Sequence, residues 1–170
     1  DSVSPDLTVT APAGSCDAEV VYAPPVIDDN CPGTTWAVIE GPVSGTTADA
    51  GIHTVTLQVT DAAGNTAECS FTITVAETGP PTITCPDDIT VNADPGECSA
   101  VVTFPNATAT DDCSAVTVTQ TDGPSSGSVF PAGVTTIEFT ATDEFGNTET
   151  CSFEILVVDD TPPTIECPGD

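Results

Sequence analysis

The chain repeats itself at a fixed interval, and this repetition constrains its fold more than any other feature. Shifting the sequence by 82 residues superposes its two halves without a gap. Gly41-Pro42 falls on Gly123-Pro124, and the segment that begins at Asp61 falls on the segment that begins at Asp143. The aligned cysteines are Cys16 with Cys98, Cys31 with Cys113, and Cys69 with Cys151. A fixed period of this length predicts a tandem array of one structural unit.

The repeat predicts two whole units and the start of a third. The first covers residues 1–79 and the second covers residues 80–161. The heptapeptide PPTITCP at Pro80 returns as PPTIECP at Pro162, so we expect residues 162–170 to be the opening strand of a third repeat in a longer protein. The first unit departs from the pattern at Val3, which occupies the position that Cys85 holds in the second.

Apolar and polar residues alternate along short segments, and no segment has the apolar spacing of an amphipathic helix. The predicted strands of the first unit are residues 7–10, 18–22, 35–39, 53–60 and 67–75, with counterparts 82 residues further on. Short strands in a unit of about 80 residues are typical of immunoglobulin and fibronectin-III folds. The predicted fold class is therefore all-β, with two tandem β-sandwich domains. Trp36 is predicted to fill one core, since its counterpart is Val118 on a central strand.

The charge balance excludes several classes of function. The chain has 27 acidic residues and neither Lys nor Arg, which gives a formal net charge of −27. Such a chain cannot neutralise a nucleic-acid backbone or an anionic lipid surface, and it lacks an apolar run long enough to insert into a membrane. Its one histidine, His53, is replaced by Thr135 in the second repeat. We therefore expect a protein that is not an enzyme.

Eight cysteines indicate disulfide bonds, because their spacings match no zinc site and small domains need covalent reinforcement. Disulfides place the protein outside the cell, secreted or on the cell surface. If the first strand starts at the end of the sandwich where the last strand begins, Cys85 and Cys151 are neighbours. The remaining pairs are then Cys16 with Cys31 and Cys98 with Cys113.

A second pairing scheme stays open at this point. It joins Cys69 to Cys85 and Cys151 to Cys167, which leaves none of these four cysteines unpaired. In the first scheme Cys69 has lost its partner to Val3, and Cys167 requires a partner in another repeat.

Four motifs carry a resemblance to a known family: PPTITCPDDITV, TATDDC, GSVFPAGVTTIEFTATDEFGNTETCSF and VVDDTPPTIECP. Together they resemble the hyalin (HYR) repeat, a fibronectin-III-like extracellular module that occurs in long tandem arrays. The cysteine-rich version looks like repeats of secreted bacterial surface proteins. The resemblance implies a structural or adhesive array, such as a stalk, adhesin or filament, within a large cell-surface protein.

The expected partners follow from this resemblance and from the sequence. They are neighbouring repeats of the same protein, further copies of the chain through self-assembly, and a glycan or other cell-surface ligand. The alternative function is that of a glycan-binding accessory module of a secreted enzyme. In self-assembly, the opening strand Thr161–Pro168 would complete the sheet of another chain.

Carboxylates from separate segments are predicted to converge near the junction between repeats. Ca²⁺ prefers several hard oxygen ligands, and clustered carboxylates supply them. The alternative is that Asp61 and Asp143 only open tight turns and that the other acids are solvated surface charge. The candidate calcium ligands are Asp28, Asp29, Asp61, Glu77, Asp111, Asp112 and Asp143.

Overall fold

The computed structural model describes residues 6–167, and the chain divides into two units, Asp1–Gly79 and Pro80–Asp170. The described residues form strands and turns without a helix, which confirms the all-β prediction. Each unit has its own apolar core between its sheets. Val3 and the last three residues of the predicted third repeat lie outside the described residues.

The described residues of the first unit form six strands. A four-stranded sheet has the order β1-β6-β5-β3, and a two-stranded sheet pairs β2 with β4. The strands are β1 (Leu7–Thr10), β2 (Asp17–Val20), β3 (Thr35–Glu40), β4 (Thr46–Asp49), β5 (Gly51–Thr60) and β6 (Thr66–Ala76).

In the described part of the chain, the second unit repeats this plan and adds a further two-stranded sheet. Its four-stranded sheet has the order β11-β13-β14-β8, β12 pairs with β9, and β10 pairs with β7. The strands are β7 (Thr82–Thr84), β8 (Ile89–Asn92), β9 (Ser99–Val101), β10 (Thr108–Thr110), β11 (Thr117–Asp122), β12 (Val129–Pro131), β13 (Gly133–Thr142) and β14 (Thr148–Val158).

In each unit an early strand lies parallel to the last strand. β1 pairs with β6, and β8 pairs with β14, in equivalent registers. A carboxylate anchors the start of each pairing: Asp6 accepts a hydrogen bond from the Thr72 amide at 3.1 Å, and Asp88 accepts one from the Glu154 amide at 2.7 Å. The early strand and the last strand of each unit therefore run in the same direction.

The Gly-Pro pair of each repeat marks a turn that requires glycine. Gly41 has φ +83°, and a Cβ atom built there would lie 2.1 Å from the carbonyl oxygen of Thr54. Gly123 has φ +84°, and its Cβ would lie 2.7 Å from the carbonyl oxygen of Thr136. A side chain at either position would meet both an unfavourable backbone conformation and a steric clash.

The two cores differ in the size of their residues. The second unit buries four phenylalanines, and the ring centroids of Phe104 and Phe153 lie 5.3 Å apart in an edge-to-face contact. In the first unit the aromatic contact is between Tyr22 and Phe71, whose centroids lie 5.2 Å apart. Phe130 and Phe139 align with Ala48 and Leu57, so the second core contains two larger side chains at these positions.

Five of the predicted strands of the first unit are present within one or two residues of their expected bounds. The prediction missed β4 and its counterpart β12, and it missed β10. The prediction that Trp36 fills the core is wrong. Trp36 lies on β3, and 42% of its surface is exposed.

Candidate functional site

Asp143 organises the turn between β13 and β14. Its Oδ1 accepts hydrogen bonds from the backbone amides of Phe145 and Asn147, at 2.9 and 2.7 Å. Its Oδ2 accepts a third from the Asn147 side-chain amide at 2.7 Å. The Asp side chain thus closes the turn, as the D-x-x-G-N pattern of the sequence indicates.

Asp111 follows β10 and lies next to this turn. Its Oδ1 accepts hydrogen bonds from the backbone amides of Cys113 and Ser114, both at 2.9 Å. A carboxylate oxygen of Asp111 and one of Asp143 lie within 4.8 Å of each other. Two carboxylates from separate segments therefore meet within the second unit, at a separation that one cation can bridge.

The first unit has the equivalent arrangement. Asp61 accepts hydrogen bonds from the Ala63 and Asn65 amides, at 2.9 and 2.7 Å, and its Oδ2 accepts one from the Asn65 side chain at 2.7 Å. Asp28, Asp29, Asp61 and Asn65 line one open depression of about 200 Å³. The loop and the hairpin that the sequence predicted to approach each other do so within this unit.

The hydrogen bonds to these turn carboxylates favour their ionised form. The Asn65 side chain, followed by backbone amides, lowers the pKa of Asp61. Burial raises the pKa of Asp143, but the hydrogen bonds from Asn147, Phe145 and Gly146 outweigh this and lower it below its ordinary value. The chain has no Lys or Arg to neutralise them, so each site holds negative charge that a cation would stabilise.

Glu77, Asp112 and Asp28 are further predicted ligands. Glu77 follows β6, is 5% exposed, and accepts a hydrogen bond from the backbone amide of Gly79. Asp112 is exposed beside Asp111, and Asp28 is exposed at the rim of the depression. The participation of Glu77 and Asp112 in a metal site stays a prediction.

Cys85 and Cys151 form a disulfide with an S–S length of 2.04 Å and a Cα–Cα distance of 5.7 Å. This is the pair that the sandwich geometry favoured, and it excludes the alternative scheme. The bond joins the segment after β7 to β14, and both residues pack against the core of the second unit.

The other two predicted disulfides are wrong. Cys31 and Cys98 are free and exposed, so Cys16 does not pair with Cys31, and Cys98 does not pair with Cys113. Cys16 and Cys113 are each held in a disulfide. Cys69 and Cys167 are also free and exposed.

Strand geometry explains why these pairs cannot form. The Cys98 carbonyl accepts a hydrogen bond from Ala132, directly before β13, whereas Ser114, the neighbour of Cys113, contacts Glu144 beyond the other end of β13. Ten residues of strand span about 30 Å. A disulfide tolerates less than about 7 Å between Cα atoms.

The same argument applies in the first unit. The Cys16 carbonyl accepts a hydrogen bond from Ala50, directly before β5. The Cys31 amide contacts Asp29, which lines the depression with Asp61 beyond the far end of β5. The two cysteines of each predicted pair lie only 15 residues apart in the sequence. The strand pairings reveal that this segment spans the length of the unit.

The fold and the cysteine chemistry define a class of tandem, disulfide-bonded β-sandwich modules. A family model described as the HYR domain matches residues 2–75 and again residues 76–157. The chain belongs to the HYR domain family. Among residues 6–167, no helix is sufficiently long and apolar to cross a membrane.

The chain is similar to two sea urchin proteins called hyalin. It is 37% identical to that of Strongylocentrotus purpuratus over 97% of this chain and 14% of that protein, and 34% identical to that of Lytechinus variegatus over 96% and 31%. It therefore spans less than a third of either relative. A rat protein, sushi, von Willebrand factor type A, EGF and pentraxin domain-containing protein 1, is 39% identical over 51% of this chain and 2% of that protein. These relatives are animal proteins, so the expected bacterial origin is not supported.

Among solved structures, the chain is similar to human CDH23 EC21-23 with a TM-score of 0.37 and 16% identity, over 91% of this chain and 68% of that one. It is also similar to human mucin-like protocadherin EC1-2 with a TM-score of 0.40 and 13% identity, over 91% and 96%.

Proposed function

We propose that the chain is part of a structural or adhesive repeat array in a large extracellular or cell-surface protein, and that it has no catalytic role. The observation that carries this proposal is the tandem placement of two HYR domains over residues 2–157. The Cys85–Cys151 disulfide supports an oxidising compartment outside the cytosol. Repeat arrays of this kind extend and present surfaces, because each module folds around its own core.

Labelling of cells that produce the protein tests this location and role. An antibody against the 170-residue chain should bind intact, unpermeabilised cells, and beads coated with the chain should adhere to those cells more than beads coated with an unrelated acidic protein. Labelling that appears only after permeabilisation would contradict the proposal. Labelling without adhesion would favour a spacer over an adhesin.

Calcium is the cofactor that these carboxylates favour. Asp111 and Asp143 lie within 4.8 Å of each other in the second unit, and Asp28, Asp29 and Asp61 share one depression in the first. Their oxygens are the hard ligands that Ca²⁺ selects, and the ion takes further oxygens from water and backbone. Bound calcium would cancel the repulsion between the carboxylates and hold each loop against its hairpin.

Melting with calcium and with a chelator tests the metal site. A ligand that binds only the folded state at 100 times its Kd stabilises it by about 2.7 kcal/mol. This corresponds to a rise in Tm of roughly 10 °C or more for a domain of this size. Asp143→Asn should remove most of this rise in the second unit, whereas Asp87→Asn, which changes the same charge at an exposed position, should retain it.

The comparison of the two Tm values also separates metal binding from turn stability. Asp143→Asn weakens the turn itself, so its Tm should fall in chelator as well, but the calcium-dependent difference is a property of the site. Equal Tm values for the unmodified chain in calcium and chelator would overturn the calcium proposal. Glu77→Gln measured in the same way tests the predicted contribution of Glu77.

The exposure of Trp36 favours a second candidate, a glycan-binding accessory module. Its ring is 42% exposed on β3, and exposed aromatic side chains stack on sugar rings. A carbohydrate screen with the unmodified chain and with Trp36→Ala distinguishes the candidates. An affinity that is lost in the variant supports the module, and the absence of any affinity supports the array alone.

A further inference from the structure

One segment of the second unit carries a modification signal that neither the fold nor the carboxylate sites use. Asn106, Ala107 and Thr108 form the pattern Asn-x-Thr, with a residue other than proline in the middle. This pattern is the acceptor for N-linked glycosylation in secreted proteins. In the given sequence no other asparagine has Ser or Thr two residues after it. Such a tripeptide also occurs by chance, so its surroundings decide whether a glycan fits.

The structure presents the two functional side chains of this tripeptide to solvent. Asn106 and Thr108 are exposed, whereas Ala107 between them is 7% exposed and belongs to the core of the second unit. Alternate residues of an extended chain point to opposite sides. The buried alanine therefore turns the asparagine and the threonine outward, and a bulky polar group on Asn106 requires no rearrangement of the core.

The Asn106 carboxamide makes no contribution to the hydrogen bonding of the fold. Among residues 6–167, neither it nor the Thr108 hydroxyl takes part in a hydrogen bond. Three other asparagines donate side-chain hydrogen bonds that hold local structure, namely Asn65, Asn92 and Asn147. A sugar on any of those three nitrogens would crowd an existing contact, whereas a sugar on Asn106 would disturb none.

The backbone on both sides holds the tripeptide in place. Before it, the Phe104 amide donates a hydrogen bond to Ser126 Oγ at 2.8 Å, and this hydroxyl donates to the Phe104 carbonyl at 2.8 Å. At its end, β10 pairs with β7, with Thr108 opposite Thr84. A glycan on Asn106 would therefore leave the surface of the second unit at a defined position.

The first unit has no equivalent acceptor. The residues that align with the tripeptide are Pro24, Pro25 and Val26, which lack both the carboxamide and the hydroxyl. A proline in the middle position also blocks this type of acceptor. The signal therefore belongs to the second repeat alone, and a modification would make the surfaces of the two units different.

We propose that Asn106 carries an N-linked glycan, added as the chain enters the lumen of the endoplasmic reticulum. This inference rests on the proposed extracellular location, since the transferase acts on the luminal side of that membrane. The donor is an oligosaccharide joined to a lipid diphosphate. The Asn106 Nδ2 atom attacks C1 of the first sugar, the bond from C1 to the diphosphate oxygen breaks, and the nitrogen loses one proton to the medium. The lipid diphosphate is the leaving group, and no electron is transferred.

The glycan restricts where the second unit can contact other molecules. Thr103, Pro105 and Thr108 are exposed around the attachment point. A hydrophilic oligosaccharide there covers these residues and keeps other proteins away from them. Adhesive contacts of this unit would then involve the rest of its surface.

Production of the 170-residue chain in cultured animal cells, behind a secretory leader, tests the site. Removal of N-glycans with peptide-N-glycosidase should increase the electrophoretic mobility of the chain by one step. Asn106→Gln and Thr108→Val should each give the faster form without the enzyme, and Thr108→Val keeps the β-branched shape of a residue on β10. Thr108→Ser keeps the acceptor pattern and should keep the slower form. Asn30→Gln, at an exposed asparagine outside the pattern, should keep it too.

Mass spectrometry locates the sugar. The glycosidase converts the glycosylated asparagine to aspartate, so a reaction in ¹⁸O water labels that residue. Because the chain has no Lys or Arg, a Glu-specific protease replaces trypsin and, after reduction, releases residues 98–138. The label should lie at Asn106. A chain whose mobility does not change with the enzyme, or a label at another residue, would overturn the proposal.

The native protein separates this proposal from the proposed location. The leader directs the chain into the secretory pathway whatever its native location, so an unmodified product contradicts only the glycan. In cells that naturally produce the protein, a chain that antibody detects on the intact surface but that lacks the glycan would also overturn the glycan alone. A native chain that is detected only after permeabilisation and lacks the glycan would overturn both.

Discussion

The two units share six aligned strands and differ at their opening edge. In the second unit β7, its partner β10 and the Cys85–Cys151 disulfide cover one side of the core. In the first unit the aligned cysteine, Cys69, is exposed, and residues 26–28 are not paired. Among the described residues, the six aligned strands are therefore the framework that both units share, and the β7–β10 pair is an addition seen in the second unit.

Removing the disulfide should have the largest effect, and it should affect only one unit. Cys85→Ser frees a loop with a sequence separation of 66, which costs about 4 kcal/mol in the chain-entropy model. Cys69→Ser, the matched change at the aligned position of Cys151, should alter the monomer by less than about 0.5 kcal/mol. Hydrogen exchange of the amides in β13–β14 and in β5–β6 measures the two effects separately. If Cys85→Ser lowered the hydrogen-exchange protection of both units to a similar extent, this distinction would be contradicted.

The Gly-Pro turns should instead respond alike, because they belong to the shared framework. Gly41→Ala and Gly123→Ala each force a side chain into a positive-φ conformation and against a backbone carbonyl, which should cost about 2 kcal/mol or more. Gly64→Ala has the same backbone conformation but open space around its Cβ, so its cost should be nearer to about 1 kcal/mol. Denaturant unfolding checks the order. If Gly41→Ala does not change the free energy of unfolding, the turn must shift to make room for the added side chain.

Tyr22 and Phe104 occupy aligned positions, and only the first has a hydroxyl group to lose. The Tyr22 hydroxyl donates a hydrogen bond to the Pro42 carbonyl at 2.8 Å, next to the Gly-Pro turn. Tyr22→Phe should therefore destabilise the first unit by about 1 kcal/mol. Phe104→Tyr provides the reciprocal control in the second unit, where the added hydroxyl should bring no gain. An unchanged unfolding midpoint in Tyr22→Phe would mean that water replaces the bond at no cost.

The smallest expected effect is on stability at acidic pH, which should decrease in both units as the pH falls. The pKa values of Asp61 and Asp143 are lowered in the folded state by hydrogen bonds from the turn. Their contribution to stability is therefore present above the unfolded pKa, near 4, and is lost as pH falls through the lower folded pKa. Titration of the carboxyl carbons by NMR should give pKa values below the ordinary value at both sites. Asp61→Asn and Asp143→Asn should each flatten the acid limb of the stability curve.

Periodicity predicts the long strands well, because alternation at Val55, Leu57 and Val59 is a local property of the sequence. The strand β4, with the sequence TTAD, has no such signal and forms because it pairs with β2. The carboxylate cluster was partly predictable, since Asp61 and Asp143 open recognisable turns. The Cys85–Cys151 pair followed from the order of the strands, but the Cys16–Cys31 and Cys98–Cys113 predictions failed. Spacing in the sequence does not reveal that a segment of fifteen residues crosses the length of a sandwich. The exposure of Trp36 was missed for a similar reason: strand alternation does not say which face of β3 the core covers.

The parallel ladder that joins β1 to β6 has a mechanical consequence for the first unit. If tension is applied to the two ends of a unit, these strands are drawn in opposite directions along their length, and the bonds between them are loaded together. Such a shear geometry resists force better than a hairpin that is peeled open one bond at a time. The first unit thus carries a shear-loaded ladder between the points where its chain enters and leaves. In the second unit, the Cys85–Cys151 disulfide connects the entering segment directly to β14 and leaves β8 outside the loaded path.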